Sequence, residues 1–126
     1  MALRKFKPIT AGTRWRIGNA YAEVTTNVPE KTLVEAKPRT GGRTATGRMS
    51  MRYIGGGHKK KHRIIDFKRN KTGFAEVVSV EYDPNRTAFT ALLNYADGAK
   101  RYIIAPQGLV VGNKVEAGEF VAPEIG

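Results

Sequence analysis

The sequence predicts an all-β protein: a small five-stranded antiparallel barrel preceded by a long, basic and mostly irregular N-terminal arm. Three observations lead there. Short apolar-alternating runs in the second half are separated by turn signals. No long segment has a helical period, and no internal repeat is visible. Charge is also lopsided, because residues 1–71 carry 18 Lys/Arg and 4 Asp/Glu (net +14) whereas residues 72–126 carry 4 and 7 (net −3). The 126 residues amount to about one domain. They divide into an arm over 1–71 and a barrel over 72–126.

The barrel elements follow in order. Phe74 to Tyr82 (FAEVVSVEY) is rich in β-formers, and its even positions Phe74, Val78, Val80 and Tyr82 are expected to form one apolar face, interrupted by Glu76. Asp83-Pro84-Asn85-Arg86 ends that strand in a turn, where Asp83 is expected to cap its own backbone. Ala88 to Tyr95 is the second strand, with Phe89, Ala91, Leu93 and Tyr95 on one side. Asp97-Gly98 is a hairpin signal leading into Lys100 to Ala105, which Pro106 stops. Leu109 to Val111, Val115 and Phe120 to Ala122 supply one or two closing strands around a Gly112-Asn113 turn.

The arm has weaker signals. Between Lys37 and Lys71, twelve of thirty-five residues are Lys or Arg, six are Gly, and Asp66 is the sole acid. Such a segment repels itself and has little apolar area to offset an ordering cost of roughly 1–2 kcal/mol per residue. It is expected to be mobile until it meets an anionic partner, and a phosphate chain suits it because binding releases condensed counterions. Within it, residues 49–54 alternate weakly and His62 to Phe67 is a short β-prone run. Gly55-Gly56-Gly57 reads as a loop that lets backbone N–H groups approach phosphates, the alternative being a plain linker.

Other chemistries find little support. Gly42 to Gly47 has the spacing of a phosphate-binding loop, but Arg48-Met49 stands where Lys and Ser/Thr are required. His58 and His62 are four apart, yet Lys59, Lys60 and Lys61 lie between them and would repel a metal ion. No carboxylate pair or activated nucleophile is apparent, so no catalytic residue and no cofactor is assigned. Without cysteine there is neither disulfide nor thiolate ligand. No apolar run reaches the roughly 18–20 residues of a membrane span. The basic opening lacks a secretory apolar core, and Pro8, Gly12 and Gly18 interrupt the amphipathic helix of a transit peptide.

Trp15, Tyr53 and Tyr102 each adjoin arginine, and both aromatic and guanidinium faces stack on exposed bases. No recognition helix, heptad zipper or zinc-finger pattern is present for major-groove reading, so contact with folded RNA fits better.

Longer motifs then align. Thr40-Gly41-Gly42-Arg43, Gly47-Arg48, Arg52, Gly55 to Lys59, Arg63, Ile65-Asp66-Phe67 with Arg69, Glu81 to Arg86, Ala91 to Gly98 and Lys100 to Pro106 resemble the N-terminal half of the bacterial type of the universal large-subunit ribosomal protein two family. The likeness runs from about Phe6 to Gly118. It implies a barrel of the oligonucleotide-binding type, bound to large-subunit ribosomal RNA beside other ribosomal proteins in the cytoplasm, an organellar ribosome being left open. It also implies a non-enzymatic role in assembly, subunit association and the support of peptidyl transfer. Members of that family are about twice as long, with a second SH3-like barrel and a basic extension.

The resemblance places Arg43, Arg48, Arg52, His58, Lys59, Arg63 and Arg69 on the RNA-contacting arm. Charge and glycine content add Arg39, Tyr53, Gly55, Gly56, Gly57, Lys60, Lys61, His62, Lys68 and Lys71, and Arg86, Lys100 and Arg101 from the barrel. No membrane or small-molecule partner is expected. The competing reading is a free-standing single-strand-binding module using the barrel face at Lys100, Arg101 and Tyr102.

Overall fold

The computed structural model describes residues 2–121. Among these residues eight strands, one short α-helix and one 3-10 turn follow the order β1 (Leu3–Lys5), α1 (Ala11–Arg14), β2 (Ile17–Asn19), the 3-10 turn (Lys31–Leu33), β3 (Val34–Ala36), β4 (Lys61–Arg63), β5 (Gly73–Glu81), β6 (Thr90–Tyr95), β7 (Lys100–Ile104) and β8 (Lys114–Ala117). They make two two-stranded ribbons, β1-β2 and β3-β4, and one four-stranded antiparallel sheet in the order β7-β6-β5-β8. This is the expected all-β, oligonucleotide-binding type of architecture, with an open sheet of four strands in place of a closed barrel of five. Leu109 to Val111 forms turns rather than a strand, Phe120 lies in a bend, and Ala122 lies outside the described residues.

Strand β5 corrects the expected apolar face. Ala75 and Val77 point into the core, while Phe74, Val78 and Tyr82 are exposed. The reason is a bulge: Val77 pairs with Leu93 and Ser79 with Leu92, so Val78 is left without an opposite residue. One extra residue reverses the phase of a strand. Val80 thereby joins Ala75 and Val77 in the core with Phe89, Ala91, Leu93, Tyr95, Ile103 and Val115. The four residues expected on one side of the second strand, Phe89 just before β6 and Ala91, Leu93 and Tyr95 within it, all lie there, each large side chain contributing about 1.5–3 kcal/mol by burial.

The opposite face of the sheet is covered as well. Ser79, Leu92 and Tyr102 lie in register across β5, β6 and β7 and are all buried. The arm reaches this face where Glu30 N–H donates to the Tyr102 hydroxyl at 2.8 Å, and it also extends the sheet at its edges. Thr25 N–H donates to the Val80 carbonyl at 2.9 Å and Val80 N–H to Thr25 Oγ1 at 3.0 Å, so Thr25 stands in for a neighbouring strand. Further along, Ile65 bridges to Tyr102, and Asp66 N–H donates to the Tyr102 carbonyl at 2.8 Å. Backbone pairing therefore crosses position 71 at several points, and residues 61–71 lie against the sheet instead of trailing from it.

Turn chemistry behaves as written in the sequence. Asp83 is fully buried and accepts Asn85 N–H at 2.8 Å and Arg86 Nε at 2.8 Å. Gly98 takes φ +80° and closes the β6-β7 hairpin, while Asp97 Oδ1 accepts Ala99 N–H at 3.1 Å.

Candidate nucleic-acid interface

The cationic arm contains a folded loop. Residues 40–51 fold back on themselves: Arg43 N–H donates to Thr40 O, Gly47 N–H to Thr44 O, and Thr44 N–H to Arg48 O at 2.8 Å. Arg43 and Met49 form an antiparallel bridge. Ser50 donates to the Gly42 carbonyl through both its N–H, at 2.8 Å, and its hydroxyl, at 3.0 Å. Gly42 is required at this point, since it has φ +70° and a Cβ there would sit 2.6 Å from the Met51 carbonyl oxygen. Arg43 and Arg48 project from this loop into solvent, with Arg43 Nη1 steadied by the Gly41 carbonyl at 3.1 Å.

Arg52 and Tyr53 follow, both exposed, Tyr53 completely and with φ +60°. Gly55, Gly56 and Gly57 then run back past Gly41, and the Arg39 guanidinium lies against Gly57 where a side chain would otherwise stand. The glycines thus fold the arm closely, and their backbone is exposed.

Between residues 28–39 and 56–61 lies an open cleft of about 630 Å³. Lys31, Lys37 and Arg39 line one wall and His58, Lys59, Lys60 and Lys61 the other. Among the described residues Glu35 is its one acidic lining residue. The β3-β4 ribbon ties the walls together, with Val34 opposite Arg63, Glu35 opposite His62 and Ala36 opposite Lys61. Six Lys and Arg side chains around one concave surface, with His58 among them, make a field that favours a phosphate chain. Lys31 and Lys37 were not among the residues expected to bind. Lys31 stands next to Glu30 and far along the chain from the lysine run, so only the ribbon pairing reveals it.

Most of the remaining expected residues are engaged within the protein. Lys100 Nζ pairs with Glu30 at 2.6 Å, and this bond holds the Glu30 carboxyl below its usual range. Arg101 bonds Asp66 at 2.5 Å and Asn70 at 3.1 Å; the Arg101 bond lowers the Asp66 pKa and raises that of Arg101. Lys71 pairs with Asp97 and lies 4.5 Å from the Tyr95 ring centre, and its bond lowers the Asp97 pKa. Arg86 is held by Asp83 and faces Phe67. Arg63 is buried and donates to Lys61 O at 3.0 Å, and Arg69 donates to Glu116 O at 3.2 Å. His62 is half-buried, while Lys68 is exposed. Tyr102, part of the alternative binding platform, has no exposed surface.

The structure therefore separates the expected residues into two sets. Arg39, Arg43, Arg48, Arg52, Tyr53, Gly55–Gly57 and His58–Lys61 form a continuous surface along the folded arm. Arg69, Lys71, Lys100 and Arg101 fasten that arm to the sheet, and Arg63 and Arg86 are bonded within their own strand and turn. Among the described residues no group of three or more His, Cys, Asp or Glu is placed to hold a metal ion.

Residues 30–117 match the family described as Ribosomal Proteins L2, RNA binding N-terminal domain. The chain is 60% identical over 127 aligned residues to the large ribosomal subunit protein uL2 of Cytophaga hutchinsonii and, equally, to that of Parabacteroides distasonis. The uL2 protein of Akkermansia muciniphila is 51% identical over a similar length. In each case the alignment covers 100% of this chain and 46% of the relative, so the chain spans about half the length of the curated relatives it matches. Fold, glycine-rich basic arm and these likenesses agree, and the chain belongs to the ribosomal protein L2 family, through that family's RNA-binding N-terminal domain.

Proposed function

We propose that this chain is a non-enzymatic structural constituent of the large ribosomal subunit, bound to large-subunit ribosomal RNA through the folded arm and the basic cleft. Its partners are that RNA and neighbouring ribosomal proteins, with no membrane and no small-molecule substrate, and its place is the cytoplasmic ribosome. Its role is to hold RNA segments together during assembly and to support subunit association. The observation that carries this reading is the division of the cations. Arg39, Arg43, Arg48, Arg52 and Lys59 of the arm face solvent, whereas Lys100 and Arg101 of the sheet and Arg86 of the turn before β6 are already paired with carboxylates. The same division argues against a single-strand-binding platform on β7, whose Tyr102 is buried.

Salt dependence tests it. With about six to ten phosphates neutralised, affinity for a ribosomal RNA fragment should fall about 10³- to 10⁵-fold between 50 and 200 mM salt. Replacing residues 40–58 by a short Gly-Ser linker removes Arg43, Arg48 and Arg52 and should lower the slope of log K against log salt by about 2. A slope unchanged by the replacement would place the binding surface elsewhere.

A further inference from the structure

Residues 2–20 lie outside the span matched by the RNA-binding domain and build a small unit of their own. β1 pairs with β2 in the register Leu3↔Asn19, Arg4↔Gly18 and Lys5↔Ile17, and α1 forms the connection. Thr10 N–H donates to Thr13 Oγ1 at 3.0 Å and so starts the helical turn. The Phe6 ring lies under two guanidinium groups, that of Arg4 at 5.4 Å from its centre and that of Arg16 at 4.7 Å. Gly18 makes room for the ring, since a Cβ there would be 3.1 Å from Phe6 Cε2. Residues 1–22 hold five basic side chains, Arg4, Lys5, Lys7, Arg14 and Arg16, and no acid. At the end of the turn, between Arg14 and Arg16, Trp15 is 86% exposed.

An indole left this open costs apolar exposure that a buried position would recover. Its two neighbours, Arg14 and Arg16, are cations, Phe6 holds Arg16 together with Arg4, and Lys5 is next in the chain, so the complementary partner is anionic and has a flat apolar face. An unpaired nucleotide has both properties. We propose that the Leu3–Asn19 hairpin is a second RNA contact, in which Trp15 stacks on an unpaired base while Arg4, Arg14 and Arg16 hold the phosphates beside it. This rests on the RNA-binding reading of the chain and adds a site distinct from the arm.

Trp15 is the one tryptophan of the chain, so its fluorescence reports this site alone. The full chain is titrated with an unstructured RNA twelve-mer and with an abasic strand of equal phosphate count. Quenching by the twelve-mer with little by the abasic strand is expected. W15A should weaken twelve-mer binding about 5- to 150-fold, the worth of one stacked base, with the salt slope unchanged, and W15F should recover most of the affinity. R43A/R48A, which tests the arm, should leave the quenching intact; loss of arm affinity with quenching retained, or the reverse, tells the two sites apart. Equal quenching by the abasic strand, or wild-type affinity in W15A, would overturn the proposal. So would a blue shift on phosphatidylglycerol/phosphatidylcholine vesicles without quenching by RNA, which would assign the hairpin to a membrane surface.

Discussion

Tyr102, with no exposed surface, donates its hydroxyl to Glu81 Oε2 at 2.8 Å and accepts the Glu30 N–H at 2.8 Å. Ser79 Oγ donates to the other Glu81 oxygen at 3.0 Å. One phenol thus links the buried sheet face to the arm segment that reaches it. The bond to Glu81 spans 21 residues of sequence and the bond to Glu30 spans 72.

Burial, reinforced by the Glu81 bond, raises the Tyr102 pKa well above the ordinary tyrosine value of 10. A group that resists ionisation only when folded supports the fold fully below its unfolded pKa. Above pH 10 the unfolded chain gains charge that the native state refuses, so stability should fall by about 1.4 kcal/mol per pH unit up to the native pKa. Tyr102→Phe should remove that alkaline slope. At pH 7 it should cost about 1–3 kcal/mol, because Glu30 N–H and Glu81 lose their partner. Urea midpoints of both proteins between pH 7 and 11 check this.

Asp66 works at the other end of the scale. Its pKa is lowered first by the Arg101 bond and also by Arg69 N–H, so the stability it provides is present above the unfolded value near 3.8 and is lost as pH falls through its lower native pKa. Asp66→Asn should reduce stability at pH 7 and flatten the loss below about pH 4. Thermal unfolding of both proteins at pH 7, 4 and 3 reads the difference.

Gly42→Ala should damage binding without damaging the fold. The positive φ disfavours alanine by roughly 1–2 kcal/mol, and the methyl group meets the Met51 carbonyl. The 40–51 loop should open, and ribosomal RNA affinity should fall about tenfold. The melting temperature should shift by no more than a few degrees, since the core cluster lies wholly within residues 75–115.

Arg43→Ala with Arg48→Ala should weaken RNA binding more than Lys100→Ala with Arg101→Ala, by about tenfold or more, although each pair removes two charges. The first two side chains face solvent, whereas the second two already hold Glu30 and Asp66. Equal losses in filter binding would favour the single-strand-binding platform.

Trypsin should cut the free chain at Arg48, Arg52 and Lys59 well before Arg63 and Arg69, which are bonded to backbone carbonyls and withdrawn from solvent. Peptide mapping of a short digest at neutral pH shows the order. Early cleavage after Arg63 would mean that β4 leaves its ribbon with β3 when RNA is absent.

What the sequence determined by itself was local or compositional. The alternation of Phe89, Ala91, Leu93 and Tyr95, the Asp83 and Asp97 turns and the gathering of charge in the arm were all readable, because neighbours a few residues apart decide them. Tertiary structure decided the rest. A bulge at Val78 reversed the buried face of β5, and nothing in FAEVVSVEY marks where a partner strand will skip a residue. The division of cations into fasteners and binders depended on carboxylates far along the chain: Lys100 meets Glu30 across 70 residues, and Arg101 meets Asp66 across 35. The cleft that unites Lys31 with Lys59 likewise exists because β3 and β4 pair. Hydropathy and charge are properties of a residue, but whether a cation is spent inside the fold or left for a phosphate is a property of its neighbours in space.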